Sequence, residues 1–309
     1  MQHIQIQSPW HRLILFIGLV LLFSILSAFS GLLVGVVWLN LSLPELAQMV
    51  ANPVSDQEIA FLRFYQFINQ IGIFILPVMV LMYFTKGRLS ENLSLNTIPS
   101  GVAVVITILL VYVSLPFNGF LTELNENVTF SPSLAGVGEW MHEKEEQARV
   151  LIEAILASDS IGVLAVNMVV VALMPALGEE LFFRGVLQKL FFQITNNVHW
   201  AVIISAFLFS FFHLQFFGFL PRFYMGLVLG YLFVFTQNLW IPILMHFVNN
   251  GSSVLLYYLH NTGYIRTPAE DFGTTQNTVY IIGSGLMTLW LMVMLYQRLG
   301  ADRFFKKHY

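Results

Sequence analysis

Long apolar runs separated by short polar turns dominate the chain, at about 13–39, 65–85, 101–121, 159–193, 198–217, 220–237, 239–259 and 277–298. Each is near or above the length of roughly 20 residues that a helix needs to cross about 30 Å of hydrocarbon. The pattern predicts an all-α, polytopic membrane helix bundle of about eight transmembrane helices, with residues 1–309 forming a single transmembrane domain. The first run, preceded by His11 and Arg12, is too long for a cleaved signal peptide and reads as a retained span.

One stretch breaks the pattern. Residues 122–158 open with turn-forming Asn125, Pro132 and Gly136 and continue into EWMHEKEEQARVLIEAILA, where Trp140, Val150, Leu151 and Ile155 recur at helical spacing. This segment is expected to be an outer polar loop with a helix lying along the membrane surface.

Composition agrees with a bilayer as solvent. The chain is 57% hydrophobic and 10% charged, against roughly 25% charged in soluble domains. The net charge of −3 comes without a basic cluster, so nucleic acid is not an expected partner. There is no cysteine, which removes disulfides, thiolate metal sites and a thiol nucleophile from consideration.

If the spans alternate, Arg12, Lys86, Arg88, Lys189, Arg298, Arg303, Lys306 and Lys307 share one side, which predicts that both termini are cytoplasmic.

Charges inside a membrane cost roughly 2.5–3.5 kcal/mol each on the insertion scale, so those embedded in apolar runs are the informative ones. The run VVVALMPALGEELFFRGVLQKLFF carries Glu179, Glu180 and Arg184. Glu180 and Arg184 are i,i+4 and can pair on one helical face, whereas Glu179 is rotated by about 100° and lacks that partner. A tight turn near Asn196 and Asn197 makes the next run an antiparallel neighbour, and it brings His213, one turn beyond Phe209, to a depth similar to that of Glu179. Further on, IPILMHFVNN places His246 and Asn250 at i,i+4 on one face. Glu179, His213, His246 and Asn250 together can hold a water, remove its proton and hydrogen-bond an oxyanion, as amide hydrolysis requires.

Two other features read as structural. His142-Glu143-Lys144-Glu145-Glu146 lacks the second histidine of the zinc motif H-E-x-x-H and reads as solvated surface. Ser284, between Gly283 and Gly285, reads as helix packing rather than as a nucleophile.

The motifs E-E-x-x-x-R (Glu179, Glu180, Arg184), F-x-x-x-H (Phe209, His213) and H-x-x-x-N (His246, Asn250), in that order on successive helices, resemble those of the CAAX-protease and bacteriocin-processing family (CPBP, also called Abi) of intramembrane endopeptidases. The resemblance covers about residues 159–260, which it implies to be the catalytic core.

By resemblance, Glu179 and His213 activate the attacking water, His246 and Asn250 stabilise the oxyanion, and Glu180 and Arg184, with Phe209, support the site. The implied partners are membrane lipid and a peptide or lipidated protein substrate of CAAX or bacteriocin type. The implied location is a prokaryotic plasma membrane.

The residues establish no cofactor with certainty, and zinc is a possible one. One Glu and two His also match a thermolysin-like zinc ligand set, so Glu179, His213 and His246 are the residues that would hold zinc, and the sequence leaves glutamic and metallo chemistry open. Two rival readings remain. A proton-coupled secondary transporter would use intramembrane Glu, His and Arg as a relay but predicts two repeated halves, and no repeat is visible. A non-catalytic membrane scaffold would keep the motifs without using them.

Overall fold

The structure is a computed structural model that describes residues 8–51, 53–85 and 88–300. Lys86, Arg303, Lys306 and Lys307, used above for orientation, lie outside the described residues. Helices account for all the regular structure among the described residues: α1 (Pro9–Leu39), α2 (Leu43–Ala51), α3 (Asp56–Tyr83), α4 (Gly101–Val113), α5 (Leu115–Glu126), α6 (Ala135–Leu156), α7 (Ile161–Thr195), α8 (Val198–Phe211), α9 (Phe219–Thr236), α10 (Trp240–Asn261) and α11 (Thr278–Leu299), with a few single turns between them.

Local chemistry sets several of the boundaries. Ser55 and Glu58 form a reciprocal capping box at the start of α3. Asn196, in the left-handed conformation at φ 50°, ends α7, and the Asn197 side chain accepts from the backbone N–H groups of His199 and Trp200 to start α8. The resulting turn makes α7 and α8 antiparallel neighbours.

Five helices, α1, α3, α7, α9 and α11, are long and apolar enough to cross a membrane, and α4 with α5 adds a sixth if the two, bent by 43°, form one crossing. The chain is an integral membrane protein, but the expected count of about eight crossings is not reached. The run at 198–217 supplies only a 14-residue helix, because the chain turns just beyond it at Leu214 with φ 52°. The run at 239–259 is helical over 22 residues but carries His246, Asn249, Asn250, Ser252 and Ser253, which lower its apolarity.

Lipid tails are as apolar as leucine, so close packing and hydrogen bonds hold such helices together. A Cβ on Gly226 of α9 would come within 3.0 Å of the Ala206 backbone of α8, so the missing side chain lets these two helices touch. Ser284 of α11 donates to the Val113 carbonyl at 2.6 Å and accepts from the Phe117 N–H at 3.1 Å, tying α11 to the bend between α4 and α5. The largest apolar cluster joins Phe16 of α1, Val78 and Leu81 of α3, Phe182, Phe183 and Val186 of α7, Phe209 of α8 and Phe233 of α9. It packs α7 at the centre of the bundle.

The surface segment is helical as α6, and its C-terminal end is anchored inside the bundle. Arg63 of α3 and Asn167 of α7 both donate to the Ile155 carbonyl, at 2.6 and 2.9 Å, and Asn261 of α10 donates to that of Leu156 at 3.1 Å. Three helices thus satisfy carbonyls that the end of α6 leaves without intrahelical partners.

Candidate active site

The central helix α7 is not a regular α-helix. It passes through π-helical turns at Met168–Leu173 and Leu181–Leu187, where the N–H groups of Met174 and Gln188 bond five residues back to Val169 and Phe183. Pro175 has no N–H to offer the carbonyl four residues back, that of Val171. Asn250 of α10 donates its Nδ2 to that carbonyl at 3.3 Å, while Asn249 Nδ2 donates to Asn250 Oδ1 at 3.1 Å. The Asn250 amide is thereby oriented, with its second N–H unassigned by these bonds.

Glu179, Glu180 and Arg184 are all buried. Arg184 Nη1 donates to Glu180 Oε1 at 2.8 Å and Nη2 donates to the Gly226 carbonyl at 3.0 Å. The guanidinium also lies over the Phe209 ring, 4.8 Å from its centroid, a favourable placement for a desolvated cation.

The same Glu180 oxygen accepts a second bond, from His246 Nδ1 at 2.9 Å. A carboxylate held by an arginine can only accept, so Nδ1 carries the proton and Nε2 is turned toward Glu179. The distance from His246 Nε2 to Glu179 Oε2 is 4.0 Å. Glu179 Oε1 accepts a long bond of 3.4 Å from Gln70 Nε2 on α3, and Oε2 is buried without a hydrogen-bond partner.

His213 sits just past the end of α8. Its Nδ1 lies 2.7 Å from the Phe209 carbonyl, which leaves Nε2 as its outward atom. Phe209 meets the rings of both His213 and His246 edge on, with centroids 5.1 and 5.8 Å away. Glu179, His246 and Arg222 are within electrostatic reach of His213. Glu179, Glu180, Arg184, Phe209 and His246 thus form one continuous cluster, with His213 and Asn250 at its edges.

The loop after His213 is bracketed from two elements. Asn125 of α5 donates to the Phe216 carbonyl at 2.9 Å and accepts from the Leu220 N–H at 2.7 Å. From α6, Glu145 accepts from the Phe217 N–H at 3.2 Å, the His142 ring stacks on Phe217 at 4.2 Å, and Trp140 packs on Phe216. His142 and Glu145, read from sequence as solvated surface, are thus in contact with this loop.

Residues 161–252 match the family model described as Type II CAAX prenyl endopeptidase Rce1-like. That match supports a likeness of this segment to the CAAX-protease and bacteriocin-processing (CPBP) family. A comparison with curated proteins and one with solved structures each found no match. The CPBP segment spans α7, α8, α9 and the first half of α10, and so contains all the candidate residues named from sequence. It supports a CAAX-type intramembrane endopeptidase in general terms.

Among the described residues no three His, Asp or Glu side chains are grouped to hold a metal ion. His246 and His213 bond Glu180 and the Phe209 carbonyl through Nδ1, so each keeps Nε2 free, as a metal-binding histidine also would.

Sequence reasoning missed two site contacts. The bond from His246 to Glu180 links residues 66 apart on different helices, and nothing in helical spacing reveals which carboxylate faces which histidine. Gln70 lies outside both the recognised motifs and the CPBP segment. A cavity of about 500 Å³ is lined by Glu145, Arg149, Gln215, Arg222, Met245 and Asn249 among others, so it reaches the α10 residues adjoining His246 and Asn250.

Proposed function

We propose that this protein is an intramembrane endopeptidase that hydrolyses a peptide bond of a membrane-associated or lipidated peptide or protein, with Glu179 as the base that activates water. The observation carrying this reading is the buried, unpartnered Glu179 Oε2, facing the Nε2 of a histidine that Glu180 and Arg184 hold in place. A buried carboxylate oxygen without a partner costs stability, and its retention here is explained by a task.

In the proposed reaction a water held by Glu179, and oriented by Nε2 of His213, gives one proton to Glu179 Oε2 while its oxygen attacks the scissile carbonyl carbon. The carbonyl π electrons move to oxygen. The oxyanion is met by His246 and by the second N–H of Asn250. Collapse of the adduct breaks the C–N bond, and the proton on Glu179 passes to the departing amine. The products are a new carboxyl terminus and a new amino terminus, and the base is regenerated. No step uses a metal.

Within this reading the shorter α8 and the more polar α10 complete the membrane-embedded bundle, lining its reactive centre rather than facing lipid. Both termini lie on the cytoplasmic side, and the membrane is a prokaryotic plasma membrane.

The test is cleavage of membrane-anchored peptides, prenylated and unprenylated, by the purified protein in detergent or bilayers. Wild type is expected to cleave, and Glu179→Ala and His213→Ala are expected not to. Undiminished cleavage by both variants would remove these residues from the reaction.

A further inference from the structure

Among the described residues, Gln70 contributes the one side-chain hydrogen bond to Glu179, and it comes from a helix outside the CPBP segment. Its Nε2 donates to Glu179 Oε1 at 3.4 Å, and its own Oε1 is buried without a partner. Resting on the peptidase reading, we propose that Gln70 is a positioning residue, which holds one oxygen of Glu179 so that the other faces His246 and the substrate.

Three local features bring Gln70 to this place. Pro77 cannot bond the carbonyl of Ile73, and α3 responds with a π-helical turn at Ile71–Ile75, in which the Leu76 N–H reaches back five residues to Ile71. The turn begins immediately after Gln70. On the facing helix, Gly178 directly precedes Glu179, and a Cβ there would lie 3.0 Å from the Phe74 Cβ and 3.6 Å from Gln70 Oε1. The absent side chain therefore lets α3 approach α7 at the level of the carboxylate.

The chemistry also favours a positioning role over simple packing. A carboxylate with one oxygen tied loses a rotational choice, so its free oxygen is aimed before substrate arrives. An amide NH2 suits the task because it donates without adding a charge or competing for the water's proton. A bond of 3.4 Å is at the long end of the useful range, and such bonds commonly tighten when substrate closes the site.

The deciding variant is Gln70→Met, which keeps the length and packing of the side chain but removes the donor. With a cleavable membrane-anchored peptide, kcat is expected to fall about tenfold with KM within about twofold, the size expected for one hydrogen bond to a charged group. In a Glu179→Gln background the same substitution is expected to have no further effect on residual rate. Independently of turnover, the infrared carboxylate band of Glu179, identified by its loss in Glu179→Gln, is expected to shift in Gln70→Met.

An unchanged band, or a kcat equal to wild type, overturns the proposal. Cleavage that survives Glu179→Ala removes Glu179 as the base instead, and the infrared band still decides whether Gln70 sets this carboxylate. Matching melting temperatures for wild type and Gln70→Met exclude general unfolding as the cause of any loss.

Discussion

Glu180 and His246, on two different helices, share a hydrogen bond of 2.9 Å between Oε1 and Nδ1 that is wholly buried. Arg184 meets the same oxygen at 2.8 Å. From sequence the Glu180 and Arg184 pair looks self-contained, yet its shared oxygen also fixes the orientation of a histidine facing Glu179. The arrangement follows the logic of a carboxylate that orients an imidazole by its far nitrogen.

Glu180→Gln preserves shape but removes the charge shared by Arg184 and His246. An amide can present its NH2 to His246 Nδ1 and favour the wrong tautomer. Loss of a partner that orients a working histidine commonly costs about 10- to 100-fold. We expect kcat to fall by that amount with substrate binding little changed, measured by steady-state cleavage of a membrane-anchored peptide. A variant as fast as wild type would show that His246 does not depend on Glu180.

Arg184→Met tests the stability side of the same cluster. Removing one partner of a buried ion pair leaves the other charge uncompensated and costs about 3–5 kcal/mol, whereas replacing both partners by apolar groups is often neutral. Arg184 is fully buried with Glu180. Arg184→Met should therefore lower the thermal midpoint sharply, and Glu180→Met with Arg184→Met should recover most of it while cleavage stays low. Failure of the double variant to recover would mean that the bonds to Gly226 and His246, rather than the charge balance, dominate.

The polar residues of the site were legible because a charge in an apolar run is conspicuous. Glu179, Glu180 and Arg184 stand out in α7, and His246 with Asn250 follows from simple helical spacing. The Asn196 and Asn197 turn was readable for a similar reason, since asparagine favours both the left-handed end of one helix and the cap of the next.

What stayed hidden depends on tertiary approach. Nothing around Gln70 marks it, because its contact with Glu179 requires a π-helical turn and a glycine on a distant helix. The count of about eight spans is not confirmed for a local reason, as hydropathy runs on past Phe211 through the turn at Leu214 and into the loop. Asn250 is ambiguous for the same cause. Its i,i+4 relation to His246 is visible in the sequence, but the carbonyl it bonds, that of Val171, lies in a π-helical turn and has Pro175 in place of an N–H four residues further on.

Asn125→Leu tests how His213 is kept in place. Leu214 adopts φ 52°, a left-handed conformation that costs a non-glycine residue about 1–2 kcal/mol. Asn125 spans the following loop with bonds to Phe216 and Leu220. Losing both removes about 2 kcal/mol at the usual worth of a hydrogen bond. The loop at 212–219 should then exchange amide hydrogen faster, with cleavage reduced and the rest of the bundle protected as before. Unchanged exchange in that loop would assign its stability to α6, through Glu145, His142 and Trp140.

Chelation separates the glutamic from the metallo mechanism. A zinc ion held by Glu179, His213 and His246 would need all three donor atoms within about 2.0–2.2 Å of a single point. His246 Nε2 and Glu179 Oε2, 4.0 Å apart, could share an ion, and both histidines bond through Nδ1 and keep Nε2 free, but among the described residues no three such side chains are grouped to hold a metal. The same atoms serve directly for a water taken by Glu179 and an oxyanion met by His246. Extended dialysis against a strong chelator should therefore leave cleavage within about twofold of the untreated protein, since no ligand bond is lost from the barrier. Cleavage abolished by the chelator and restored by zinc, with metal analysis giving one ion per chain, would instead transfer water activation from the carboxylate to the metal.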